Sequence, residues 1–222
     1  AFNDTLREAL AAQFADLPGA LAGADIAGGA GMQVAAPSVC QALGVAPERK
    51  YQNEGGPGPD DVVTLLRRAL PKARADEDVG RFVDALIFNW IIAGTDAHAK
   101  NYSLLLRGGE VRLAPLYDVT SILPYENERH MRLAMKVGDD YALYNYRNPW
   151  PKAAKRLRLP EDELNARVVA LCERTITAFE TVVARSEIVS LGRSTPARLL
   201  ERVTRRAERN AQLVHENPGI RP

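Results

Sequence analysis

The sequence predicts a mainly helical α+β fold with one small β-hairpin. Three observations carry that expectation: long apolar stretches at three-four spacing, two short apolar segments flanking Gly108-Gly109, and an ordinary globular composition. The chain has 222 residues, of which 46% are hydrophobic and 26% charged, enough for one sizeable core or two small ones sharing an interface.

Residues Phe2, Leu6, Leu10 and Phe14 stand four apart and predict an apolar stripe on a short helix. Gly19 to Ala36 is rich in glycine and alanine and reads as linker, so residues 1–36 form an atypical N-terminal segment before a domain at 37–222. The Gly28-Gly29-Ala30-Gly31 run has no strand before it and no lysine after it, so it is not read as a phosphate loop. Ser38 caps a helix through Leu43, and the polar run Arg49 to Gly58, broken by glycines and a proline, is a shaped loop. Asp60 or Asp61 caps the next helix, with Val62, Leu65, Leu66, Ala69 and Leu70 on one face.

The strongest helix is expected from about Asp78 to Ala93, where Val79, Phe82, Val83, Leu86, Ile87, Trp90 and Ile91 keep helical spacing. Ala85, Phe88 and Ile92 widen that stripe, so burial on most sides follows. Gly94 then ends the helix in the position glycine favours. Tyr102 to Arg107 and Glu110 to Leu113 form the hairpin. An irregular stretch with Tyr141, Tyr144, Tyr146 and Trp150 follows Tyr125. Two amphipathic helices close the chain, one over Pro160 to Ser186 and one from Thr195-Pro196.

A net charge of +1 gives no global pull toward nucleic acid, and the basic clusters Lys152 to Arg158 and Arg202 to Arg209 read as solvated helix faces. Cys40 and Cys172 lie far apart in apolar patterns and read as buried thiols rather than zinc ligands. No apolar run reaches the roughly 18 residues of a membrane span, and no signal-peptide pattern is present. A reducing, cytoplasmic setting is expected. The chain begins with Ala1 rather than Met, which suits a fragment or a processed product.

The chemistry concentrates in Thr95-Asp96-Ala97-His98-Ala99-Lys100-Asn101, between a buried helix and a hairpin strand, with Asp118 just after the hairpin. Phosphoryl transfer needs a base for the attacking hydroxyl and oxygen ligands for magnesium, because positioning and charge do most of the catalytic work. Asp96 is the candidate base, and Asn101 and Asp118 are the candidate magnesium ligands, with phosphates and waters completing the shell. Asp96 precedes Asn101 by five positions, the spacing of the protein-kinase catalytic loop. Lys100 is placed to contact the transferring phosphate. His98 either bonds the loop backbone or orders the base. The competing structural reading has Asp96 capping the turn, Asn101 satisfying loop backbone and Asp118 capping the next segment.

At these residues the chain resembles the HipA family of bacterial serine/threonine kinases, the toxins of toxin–antitoxin pairs. The resemblance runs through Cys40-Gln41-Ala42-Leu43-Gly44, Lys50-Tyr51, Gly55-Gly56-Pro57-Gly58, Thr95 to Ser103 and Leu113 to Val119, and covers roughly Val39 to Asn217. It implies a protein-kinase-like C-terminal lobe that uses ATP and Mg2+. It also implies a protein substrate, an aminoacyl-tRNA synthetase in well-known members, and a DNA-binding HipB-type antitoxin through which alone nucleic acid is reached. Family members carry an N-terminal lobe with a glycine-rich loop, an ATP-contacting lysine and an adenine hinge. The residues before Val39 do not resemble that lobe, so the expectation is a chain with its N-lobe missing and inactive, or nearly so, by itself. Two rival expectations are a non-catalytic remnant docking an antitoxin–DNA complex and a split kinase completed by another polypeptide.

Overall fold

The computed structural model describes residues 36–107, 110–190, 192 and 194–216. The helix expected at Phe2 to Phe14 and nearly all of the Gly/Ala-rich stretch lie outside them. In chain order the helices are α1 (Val39–Ala42), α2 (Pro59–Ala69), α3 (Lys72–Ile91), α4 (Trp150–Leu157), α5 (Glu161–Val183), α6 (Ser186–Val189) and α7 (Ser194–Glu216). Strands β1 (Leu104–Arg107) and β2 (Glu110–Leu113) form one antiparallel pair, and β3 (Arg132–Val137) and β4 (Asp140–Ala142) form a second.

Helix α3 is the axis of the core. Its apolar residues Val79, Phe82, Val83, Ala85, Leu86, Ile87, Phe88, Trp90 and Ile91 are all buried, so no face of its second half meets solvent. Each large side chain removed from water there contributes about 1.5–3 kcal/mol. Helices α2, α5 and α7 and strand β2 pack against it, and α5 also packs along α7. Trp90 meets Trp150 of α4 edge to face, with ring centroids 5.4 Å apart.

The two carboxylates and the carboxamide buried on α3 are answered. Asp78 accepts from the Leu113 amide at 2.6 Å and from Arg112 Nη2 at 3.1 Å, which ties the first hairpin to the helix. Asp84 pairs with Arg167 of α5, whose Nη2 lies 2.7 Å from Oδ2. The Asn89 amide donates to the Ala85 carbonyl at 2.9 Å and to the Tyr102 hydroxyl at 3.3 Å. An unpaired buried carboxylate would cost several kcal/mol, so these partners are requirements of burial.

Several sequence expectations hold and others shift. Ser38 caps α1 through a reciprocal box with Gln41. The hairpin forms in the expected register, with Arg107 opposite Glu110. Helix α2 starts at Pro59, one position ahead of the expected caps. Gly58 is its N-cap, and Asp61 reaches back to accept from the Gly58 amide at 2.9 Å. The buried face of α2 is Val62, Val63 and Leu66, while Ala69 is exposed. Helix α3 begins at Lys72 rather than near Asp78. Its left-handed residue is Ala93, at φ +57°, and not Gly94.

The irregular stretch after Tyr125 holds the second strand pair, and Trp150 opens a helix, α4. Lys152, Lys155 and Arg156 of α4 are exposed, as a solvated face should be. The Arg202 to Arg209 run is not such a face. Arg206 is only 2% exposed and donates through Nη2 to the Trp90 and Leu143 carbonyls at 2.9 and 2.6 Å. Its Nη1 lies 3.3 Å from Glu128 Oε1 without hydrogen-bond alignment. Burial pulls this guanidinium down to about 10, against the support of Glu128.

Arg206→Ala should therefore destabilise the chain by about 3–5 kcal/mol in urea unfolding, because two buried carbonyls lose their donor. Arg205→Ala, one position away but exposed and paired among the described residues with Glu201, should cost less than about 1 kcal/mol. Equal costs would show that Arg206 does not bind as described.

Candidate active site

The site loop is set by how α3 ends. Beyond Ile91 the chain turns through Ala93 in the left-handed region, a conformation costing a non-glycine residue about 1–2 kcal/mol. Gly94 then donates its amide to the Asn89 carbonyl at 2.7 Å. A Cβ on Gly94 would stand 2.3 Å from Asn89 Oδ1, so glycine is needed here for close approach rather than for torsion.

The next residues form a closed turn. The Asp96 carbonyl accepts from the His98 amide at 2.8 Å and from the Asn101 side-chain Nδ2 at 2.9 Å. The His98 carbonyl accepts from the Asn101 amide at 2.9 Å, closing a short turn over Ala99–Asn101. The chain then joins residues 37–39 in a brief antiparallel bridge, with Val39 donating to the Tyr102 carbonyl at 2.8 Å and Leu104 to that of Pro37 at 2.9 Å. The loop is thus anchored at both ends.

Asp118 arrives from the other side of the hairpin. Tyr117 carries it there: the Tyr117 hydroxyl donates to the Lys100 carbonyl at 2.5 Å and shares a hydrogen bond of 2.7 Å with Ser103 Oγ. Asp118 itself is exposed and adopts φ +54°, which aspartate tolerates better than most residues. Beyond it, Ser121 Oγ donates to the Ile92 carbonyl at 2.5 Å and the Ile122 amide to the Ala93 carbonyl at 3.3 Å. The structure therefore brings the Asp96–Asn101 turn and the Asp118 segment together through Tyr117 and the end of α3.

Side-chain chemistry follows from these placements. Asp96 is about half exposed, at 53%, and its Oδ1 accepts from the Tyr51 hydroxyl at 2.7 Å. His98 is 4% exposed, and its Nε2 lies 3.8 Å from the same oxygen, too far for a hydrogen bond. Its Nδ1 is buried without a partner among the described residues. Burial pulls the His98 imidazole below its usual range, partly offset by the Asp96 charge, so it is neutral near pH 7. Lys100 is exposed, and its charge reaches both His98 and the buried Cys40, whose thiol is pushed up by burial.

Asn101 is buried, with Nδ2 committed to backbone, which directs the amide oxygen away from that bond. One amide oxygen and the exposed Asp118 carboxylate suit a hard cation that keeps water and phosphate oxygens. Among the described residues no group of three or more His, Cys, Asp or Glu forms a metal cage. The donors therefore fit magnesium bound together with a nucleotide better than a metal held by protein alone.

Sequence reasoning did not single out Tyr51 or Tyr117 as parts of this site. Tyr51 is 45 positions from Asp96, in a loop without periodicity, so no local spacing could reveal the contact. Tyr117 offers a weak signal, an aromatic hydroxyl beside a candidate ligand.

Comparisons with known proteins give the family and the fold. Residues 25–183 match the model of the HipA-like C-terminal domain, and the chain belongs to that family. A Sinorhizobium fredii relative, "Putative kinase Y4mE", is 37% identical over 145 residues, covering 65% of this chain and 34% of the relative. The "Serine/threonine-protein kinase toxin HipA" of Shewanella oneidensis is 28% identical over 155 residues, covering 65% of this chain and 35% of that protein. The chain thus spans about a third of the length of these curated relatives. A solved structure of the Shewanella oneidensis HipA, HipB and operator DNA complex matches all of this chain, covering 58% of its own, at a TM-score of 0.75 and 19% identity. The fold is that of a kinase-like C-terminal lobe.

Because His98 is held below its unfolded pKa of about 6.5, its contribution to stability is present above pH 6.5 and is lost as pH falls toward the lower folded value. Wild type should lose more unfolding free energy than His98→Gln between pH 7.5 and pH 5.5 in parallel urea titrations. Equal losses would show that His98 is not buried neutral.

Proposed function

We propose that this chain carries the base-and-metal half of a serine/threonine protein kinase centre. The observation that carries the reading is the Asp96–Asn101 turn, locked to the Asp118 segment by the Tyr117 hydroxyl. Asp96 accepts the proton of the attacking serine or threonine hydroxyl, for which a half-exposed carboxylate with one oxygen uncommitted among the described residues is suited. Asn101 and Asp118 hold Mg2+ with the ATP phosphates. Bound magnesium would neutralise the charge that develops on the transferring phosphoryl group. Lys100 lies in solvent beside the turn and adds positive charge toward that group. The buried His98 lies beside Asp96, with Nε2 3.8 Å from Oδ1.

The substrate on this reading is a protein hydroxyl, and a HipB-type antitoxin is the regulatory partner in a cytoplasmic setting. The fold match to a HipA–HipB–operator DNA complex supports that partner, with DNA reached through the antitoxin. Among the described residues no helix is long and apolar enough to cross a membrane. On this reading Asp96, Lys100, Asn101 and Asp118 supply the base, charge and metal ligands, and a phosphate cover and adenine slot are further requirements of the reaction. Positioning supplies a large share of phosphoryl-transfer catalysis, so efficient turnover requires such a cover from another segment or another polypeptide.

Mg2+-dependent ATP binding, followed by calorimetry, should be lost in Asp118→Asn. Phosphate transfer, followed with radiolabelled ATP, should fall about 10²–10⁴-fold in Asp96→Asn with binding retained. Unchanged transfer by Asp96→Asn would remove Asp96 as the base. Retention of metal-dependent binding by Asp118→Asn would remove the metal assignment.

A further inference from the structure

The loop from Arg49 to Gly58 is built with care, yet no role in the proposed chemistry has been given to it. The Tyr51 carbonyl accepts from the Glu54 and Gly56 amides at 3.0 and 2.9 Å. Gly56 cannot be replaced without moving the loop, since a Cβ would stand 2.2 Å from the Arg49 carbonyl oxygen. Gln52 ties the loop to β3 by accepting from the Lys136 amide at 2.8 Å, and a Cβ on Gly58 would overlap the Gln52 side chain. Every one of these constraints fixes the position of Tyr51.

What Tyr51 does with that position is specific. Its hydroxyl is 2.7 Å from Asp96 Oδ1, and its ring stands edge-on to the buried His98 ring at 5.1 Å between centroids and 72°. The Lys50 ammonium lies 4.9 Å above the Tyr51 ring. The phenol is thus held from the backbone, from a buried ring and from a cation, while it donates to one carboxylate oxygen only. We propose that Tyr51 is a positioning residue for Asp96: its hydroxyl holds Oδ1 and leaves Oδ2 to receive the proton of the acceptor hydroxyl. This inference rests on the reading of Asp96 as base. The Asp96 contact also pushes the Tyr51 phenol above its ordinary range, which keeps it a donor at neutral pH.

Two consequences separate positioning from mere support of the loop. Loss of the phenol donor changes the surroundings of the Asp96 carboxylate, and a loosened base lowers turnover more than nucleotide affinity. In the folded chain at neutral pH, the carbon-13 signal of the Asp96 carboxylate should shift in Tyr51→Phe relative to wild type, with equal urea midpoints for the two. With Mg2+ and radiolabelled ATP, the variant's kcat should fall about 10–100-fold at unchanged KM for ATP.

An Asp96 carboxylate signal identical in both proteins would overturn the proposal, whether or not the chain turns over. So would a kcat unaffected by Tyr51→Phe, or phosphate found on Tyr51 itself by mass spectrometry, which would make the phenol an acceptor. Turnover surviving Asp96→Asn would instead strike the functional reading, and the Asp96 carboxylate signal would still report whether the Tyr51 bond exists.

Discussion

The constraint on which this structure depends is the satisfaction of the carbonyls at the C-terminal end of a buried helix. The last carbonyls of any helix lack intrahelical donors, and at the end of α3 water is excluded. Four carbonyls at this end are answered from three parts of the chain: Trp90 by Arg206 of α7, Ile92 and Ala93 by the Ser121 hydroxyl and the Ile122 amide, and Asn89 by the Gly94 amide. Because these partners come from both sides of the first hairpin and from the final helix, the end of α3 becomes a fixed point. The Asp96–Asn101 turn begins a few residues past it and inherits its rigidity.

The arginines of α7 extend the same principle. Arg202, Arg206 and Arg209 lie at three-four spacing on one helix face and donate to the carbonyls of Leu123, Leu143 and Asn145. Arg209 also stacks over Tyr144, 3.7 Å from the ring centroid. A guanidinium offers five donors in a rigid fork, so one side chain can serve carbonyls from separate segments, as Arg206 does for Trp90 and Leu143. The long connection between the first hairpin and α4 is thereby held by side chains as much as by its own strand pair.

The parts of the fold that were legible in the sequence are those governed by short-range patterns. The three-four spacing of α3, the Ser38–Gln41 cap and the Gly108-Gly109 hairpin each need only neighbouring residues to be read. The parts that were not legible depend on long-range partners. Arg206 looks like any charged residue on an amphipathic helix until Trp90 and Leu143 are brought beside it. Strand β3 hides because Leu133, Ala134 and Met135 are apolar in succession and break its alternation, and α4 because prolines flank Trp90's partner Trp150. For the site, Asp96, His98, Lys100, Asn101 and Asp118 stood out because their types and spacing suit phosphoryl transfer. Tyr51 and Tyr117 did not, because a hydroxyl's value lies in which carbonyl or carboxylate it meets. Gly94 was singled out for the wrong physical reason: the left-handed turn belongs to Ala93, and the glycine makes room for Asn89.

Membership of the HipA-like family and the fold rest on the matched residues and on the structure, whereas the proposed chemistry of the site rests on the joint use of Asn101 and Asp118. On that proposal neither residue alone would hold a hard divalent ion, and their joint use depends on the Tyr117 tether. Paramagnetic relaxation by Mn2+, a substitute for magnesium, added together with ATP, tests that cooperation most directly. The account predicts selective broadening of the NMR signals of the Asn101 side-chain amide and the Asp118 amide, reversed by excess Mg2+. Broadening confined to other carboxylates, such as the exposed Asp139 and Asp140 at the β3–β4 turn, would contradict it.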